Sequence, residues 1–201
     1  MNETKLIVAK PQQGGYTIVE LSIALTIIAI LIVSGLVAVN SVLTSGKANS
    51  QIEDAGRGLA KLQSFVTVGT SSITTSGAIG MGLFPSGRVS GTTITNQFGG
   101  REFVEANAST LDGVDAAKGA IYSLTNIPKQ ICTDIAASLA PLAYSVWVST
   151  AISGTATATF NTPPTTALDK VKTSGAAVDA AAIGRQCNGA DAVGMSFLVK
   201  P

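Results

Sequence analysis

The sequence predicts an α+β chain: one long N-terminal helix followed by a head that mixes short strands and short helices. Three observations carry this reading. An apolar run fills residues 21–39 and gives way to a helical stripe over 52–66. The remainder is rich in Gly, Ser and Thr, with short alternating segments between them. The only two cysteines, Cys132 and Cys187, both lie in that remainder.

The leader comes first. Residues 1–15, MNETKLIVAKPQQGG, hold Glu3, Lys5 and Lys10 and end in a Gly pair. From Leu21 to Gly46 no charge occurs. As a helix, residues 21–39 rise about 28 Å, close to the ~30 Å hydrocarbon core of a bilayer. The run is apolar all round, so it needs lipid or other helices on every side. Glu20 opens it. An ionised side chain in such surroundings is paired, neutralised or functional, because its lost hydration is worth several kcal/mol. An ordinary secretory signal cut after the run, or a permanent anchor, fits the run itself. Neither accounts for Glu20 or for the glycines before it. A cut after Gly15 accounts for both. Lys5 and Lys10 then hold the leader on the cytoplasmic side, Tyr16 becomes the new N-terminus, and Glu20 is its fifth residue.

These residues, G-Y-T-I-V-E followed by about twenty apolar positions, resemble the class III signal of type IV prepilins. The resemblance implies cleavage between Gly15 and Tyr16 by a prepilin peptidase and N-methylation of Tyr16. It also implies that Glu20 pairs with the N-terminal amine of a neighbouring subunit during filament assembly. Buried and unpaired, the two charges would penalise a misregistered subunit. The long leader and the non-Phe start point to the type IVb subclass. The fold implied is a long helix packed on an antiparallel-sheet head. The stretches NIPKQIC and QCNGADAVGMSF are similar to the pilins of conjugative thin pili and related enterobacterial type IVb pili. In that family a disulfide bounds the C-terminal region, which implies a Cys132–Cys187 bond. Two separate buried thiols are the alternative. An exported chain in an oxidising compartment favours the bond.

After Lys47, Ile52, Ala55, Leu59, Leu62 and Val66 recur at spacings of three and four, one stripe of a helix. Glu53, Arg57 and Lys61 take another face, and Glu53–Arg57 has the favourable acid-first order. One helix over 16–66 is expected, with residues 16–39 in membrane or filament core and 47–66 packed on the head. Gly46, Gly56 and Gly58 are places for a bend, and Gly35 for loosening.

The head is residues 67–201. Residues 67–100 read as a loop with short strands, 92–95 among them. GAIGMG has neither the spacing nor the strand–helix frame of a nucleotide-binding loop. Residues 126–128 open a helix, with Pro128 near its first turn, running to about Ala140. Cys132, Ile135 and Leu139 share its inner face. Residues 145–150 alternate as a strand. Residues 149–167 read as an exposed connection ending in Pro163–Pro164. Residues 174–183 read as a short Ala-rich helix and 196–199 as a closing strand.

Charge excludes much. Thirteen basic and twelve acidic residues give +1, and charged residues make up only 12%. No basic stripe supports nucleic-acid binding. Histidine is absent, which removes the commonest general base and most zinc sites. No enzyme activity, metal or cofactor is expected. The expected role is a structural one. The chain would be the major pilin of a type IVb pilus, a homopolymer serving adhesion or conjugative mating. Its partners would be copies of itself, the prepilin peptidase, the inner-membrane assembly machinery, and the membrane before assembly. It would pass from the inner membrane of a bacterium, Gram-negative by expectation, to an extracellular filament. A minor pilin or pseudopilin, and a membrane-tethered or secreted binding module, are the rival readings.

Overall fold

The computed structural model describes residue 15 and residues 17–67, 73–107, 110–150 and 170–201. These fall in two compact units, one ending at Val42 and the other beginning at Leu43. Helix α1 (Ile18–Thr67) supplies the first unit and enters the second. It is helical through Gly35, Gly46, Gly56 and Gly58. The helix is not unwound at any of them. A Cβ at Gly58 would stand 3.4 Å from the Leu83 carbonyl oxygen and 3.6 Å from the Tyr122 ring, ordinary contact distances, so the helix lies against the sheet there.

Among the described residues of the first unit the apolar side chains are all exposed, with Ile18 at 85% and Val42 at 71%. Three hydroxyls are satisfied within the helix. Ser22, Thr26 and Ser34 donate to the carbonyls of Val19, Ser22 and Ile30 at 2.7–2.9 Å. Such back-bonding removes the cost of bringing a hydroxyl into an apolar surrounding.

The second unit is built on an antiparallel sheet. Its strands are β1 (Val89–Ser90), β2 (Thr93–Thr95), β3 (Arg101–Ala106), β4 (Ala120–Pro128), β5 (Ser145–Ser149), β6 (Lys170–Lys172) and β7 (Ala192–Val199). Among the described residues their order is β1-β2-β3-β4-β7-β5-β6. The C-terminal strand therefore lies inside the sheet, with Tyr122 opposite Phe197 on one side and Val146 opposite Phe197 on the other. One face carries the main core. Tyr122, Leu124, Val146, Met195 and Phe197 meet the α1 stripe of Ala55, Leu59, Leu62 and Val66 there. The same core includes Cys132, Ile135 and Leu139 of α3 (Lys129–Leu139) and Ile183 of α4 (Ala180–Cys187). The other face holds a smaller cluster of Val114, Ile121, Trp147 and Leu198.

Several local expectations need correction. Residues 126–128 do not open a helix; they end β4, and α3 starts at Lys129 with Pro128 as its cap residue. A register shift between Leu124 and Ile127 puts Asn126 at φ +57°, a bulge that an Asn tolerates. β5 does not alternate in burial. All five of its residues are buried, because both sheet faces are covered. The helix expected over 174–183 lies later, at Ala180–Cys187, where Asp179 caps it by accepting from the Ala182 N–H at 3.0 Å. The expected loop after α1 contains a further helix, α2 (Thr75–Gly80), capped by Thr74. The exposed connection expected over 149–167 begins in β5, whose Ser149 is buried, and from 151 on it lies outside the described residues.

Candidate functional site

The first turn of α1 is the candidate processing and assembly site. Gly15 is exposed, with open space where a Cβ would stand. Tyr16 lies outside the described residues. Thr17 is the last residue before the helix. Its side-chain oxygen accepts from the Glu20 N–H at 3.3 Å, and its carbonyl accepts from the Leu21 N–H at 3.1 Å. This is the double role of a helix N-cap. Glu20 sits in the first turn and is exposed. A carboxylate suits that end of a helix, where unpaired N–H groups carry partial positive charge.

The second candidate region is the disulfide-bounded head. Cys132 of α3 and Cys187 of α4 form a disulfide, with Cα atoms 5.6 Å apart. Both residues are buried. The bond joins the inner face of α3 to the last turn of α4. Lys129 at the start of α3 donates to Asp191 at 2.9 Å, and this partner holds the exposed Asp191 carboxyl below its ordinary value.

A buried polar network ties α1 to the head, and sequence reasoning missed it. Glu102 on β3 is 2% exposed. It accepts from Gln51 Nε2 at 2.9 Å, Arg88 Nη1 at 3.2 Å and Tyr122 Oη at 2.6 Å. Arg88 also bonds Gln51 Oε1 at 2.9 Å and pairs with Asp54. Gln51 Oε1 accepts in addition from the Gln97 N–H at 3.1 Å. Burial, and then the Glu102 charge, hold the Tyr122 hydroxyl well above its ordinary pKa, so it remains a donor. The signal that could have found this network is the charged pair Asp54 and Glu53 beside the apolar stripe, since only one of them faces solvent-exposed Arg57.

On the sheet's other side, Asp112 stands in the left-handed region at φ +50°. It accepts from Lys170 Nζ at 2.7 Å, from the Ser174 N–H at 3.3 Å and from the Ser145 hydroxyl. Burial raises its carboxyl, but Lys170 and these hydrogen bonds outweigh it, and the net position is below the ordinary value. Lys170 also lies 5.7 Å from the centre of the Trp147 ring, within cation–π range.

Comparison with known proteins agrees with this geometry. The prokaryotic N-terminal methylation motif matches residues 10–36, which spans Gly15, Tyr16 and Glu20. No curated protein sequence matches the chain. The crystal structure of a type IVb pilin from Salmonella typhi is similar with a TM-score of 0.51 and 14% identity, covering 76% of this chain and 99% of that one. TcpA, a type IV pilin from the Vibrio cholerae El Tor biotype, gives a TM-score of 0.48 and 16% identity over 74% of this chain and 98% of its own. The chain thus carries the N-methylation motif of prokaryotic type IV pilins and has the type IVb pilin fold, with the long helix, the antiparallel sheet and the Cys132–Cys187 disulfide.

Proposed function

We propose that the chain is the major structural subunit of a type IVb pilus. The observation that carries this reading is the coincidence, in one chain, of a methylation motif over residues 10–36 with an exposed apolar helix ahead of a head of type IVb pilin fold. Residues 1–15 are the leader, 16–66 the long helix and 67–201 the head. The precursor sits in the inner membrane by its apolar run. A prepilin peptidase cuts between Gly15 and Tyr16, and Tyr16 is N-methylated. The head folds and oxidises outside the membrane. Assembly machinery then moves the helix from lipid into a filament core, where the subunit's partners are copies of itself. Apolar contacts with lipid are exchanged for apolar contacts with helices, so close packing of small residues such as Ala24, Ala29 and Gly35 supplies the net gain. Glu20 neutralises the amine of the adjacent subunit and sets axial register. The finished filament is extracellular and serves adhesion or mating.

Mass spectrometry of sheared filaments tests the reading. The expected subunit begins at methylated Tyr16, has no reactive thiol and is the dominant component. Low copy number would assign it instead as a minor pilin or pseudopilin. A Glu20→Ala chain should still insert in the membrane and be cut, yet give no filaments; filaments at wild-type yield would sink the assembly role of Glu20.

A further inference from the structure

Residues 110–119 form a strap on the sheet face that carries Trp147. Leu111 and Val114 exchange backbone hydrogen bonds, each N–H donating to the other's carbonyl at 2.8 Å. Asp112 and Gly113 between them stand at φ +50° and +81°. Two positive values mark a type I′ turn, for which Asp-Gly is a preferred pair. Val114 belongs to the cluster of Ile121, Trp147 and Leu198, and Leu111 packs against it. Asn107, 1% exposed, pins the base of the strap. Its Nδ2 donates to the carbonyls of Val114 and Asp115 at 3.2 and 2.7 Å, and its Oδ1 accepts from the Gly119 N–H at 2.8 Å. The tip is held differently, by the Asp112 carboxylate on Lys170, the Ser145 hydroxyl and the Ser174 N–H. Ala117 stands at φ +59°, a left-handed conformation that is costly for a residue with a Cβ, so the closed strap carries local strain.

We propose that Asp112 is a charge-operated latch: with its carboxylate paired the strap stays down on the Trp147 face, and without that charge the strap lifts from its tip while the sheet beneath stays whole. Amide bonds at the base are indifferent to pH, whereas the hold at the tip needs an anion. Lys170 on β6 is the charged group that meets Asp112. The next lysine of β6, Lys172, donates instead to the carbonyls of Ala140 and Ala143. β4, β5 and β7 meet the strap with Ile121, Ser145, Trp147 and Leu198, none of them charged. Lys200, past the end of β7, stands over the Tyr144 ring at 4.0 Å, and Asp115 and Lys118 on the strap are exposed. Glu105 of β3 lies opposite Ile121 and works in the other direction. Burial holds its carboxyl above the ordinary value, so falling pH favours its buried form. Acid therefore opens the strap through Asp112 and not through Glu105.

The test uses the full chain in detergent micelles and reads amide hydrogen exchange against urea, comparing wild type with Asp112→Asn, Lys170→Met and Glu105→Gln. Asparagine keeps the turn preference and removes the charge. In wild type the Leu111 and Val114 amides should exchange through an opening that barely responds to urea, because it exposes little surface. The β7 amides should follow the steep slope of global unfolding. Asp112→Asn and Lys170→Met should each speed strap exchange at neutral pH about tenfold, the factor that a lost charge-assisted hydrogen bond is worth. Lowering the pH below about 4 should bring the wild type to the same opening, after correction for intrinsic exchange, and leave Asp112→Asn where it was. Glu105→Gln should keep the acid step. Oxidation of Trp147, the only Trp in the chain, by N-bromosuccinimide should accelerate alongside. Strap amides that share the urea slope of β7 overturn the proposal, since the strap would then open only with the whole fold. An unchanged strap rate in either latch variant overturns it too, as does an acid step that survives in Asp112→Asn or is lost in Glu105→Gln. Faster strap exchange with Trp147 oxidation unchanged also overturns it, because the face would have stayed covered.

Discussion

Arg88 holds two carboxylates that would otherwise be unpaired inside the head. Its side chain is 13% exposed, Glu102's 1% and Asp54's 17%. Removing one partner of a buried pair leaves an uncompensated charge and costs about 3–5 kcal/mol. Arg88→Met should therefore lower the unfolding free energy by about 3 kcal/mol or more, read from urea midpoints. Adding Glu102→Gln to Arg88→Met should recover part of that loss, because the stranded charge is gone. Asp112 makes the pH prediction. Its folded pKa is depressed, so its contribution is present above the unfolded value and is lost as pH falls through the folded one. Stability should drop as pH is lowered below about 4, and Asp112→Asn should flatten that part of the profile while losing stability at neutral pH. Neither Glu102 nor Asp112 was legible in the sequence as a buried acid. A charged residue is read as exposed unless its partners are known, and Arg88 and Lys170 lie 14 and 58 residues away from them.

At the scale of elements, what repeats with a helical or strand period was readable and what is buried on both faces was not. The stripe from Ala55 to Val66 placed the second half of α1, and all of Ala55, Leu59, Leu62 and Val66 are buried. Residues 196–199 lie in β7, which starts earlier, at Ala192. β3 was missed because its inward positions are Glu102 and Val104, with Phe103 only partly buried between them; a buried acid inverts the expected pattern. β4 was missed because Ala120 to Thr125 are all buried, which erases alternation, and because the bulge at Asn126 ahead of Pro128 mimics a helix start. The disulfide acts at this scale too, by binding α3 to α4. Replacing both Cys132 and Cys187 by Ser should cost about 4 kcal/mol for a loop of this length, measured as a fall in Tm. The 55-residue separation spans β5, β6 and the chain between them, so the loss should loosen that half of the sheet first. Hydrogen exchange in β6 should rise before exchange in β3.

Taken whole, the chain combines a unit whose described apolar side chains are all exposed with a unit that has its own core. One helix of α1's length and composition can cross a membrane, and an apolar face of that extent marks contact with lipid or with other chains. The full chain should stay monodisperse in detergent and should associate or sediment when detergent is removed, as seen by size-exclusion chromatography under both conditions. This contrast was legible from the outset, because the absence of charge from Leu21 to Gly46 needs no partner to be recognised. The architecture of the head was not, because its strand order joins segments that are far apart in sequence.

That order has a consequence in time. β4 and β5 each pair with β7, and they meet through it rather than with one another. Ala192–Val199 is made after all the other described strands. Until then the sheet exists as two unfinished pieces with open edges facing each other, and Phe197 and Met195 have not yet reached the core. Every premature stop upstream of Ala192 leaves both gaps unfilled. β7 thereby works as a check on the chain before it: the sheet closes only in a subunit that carries every described strand up to Val199.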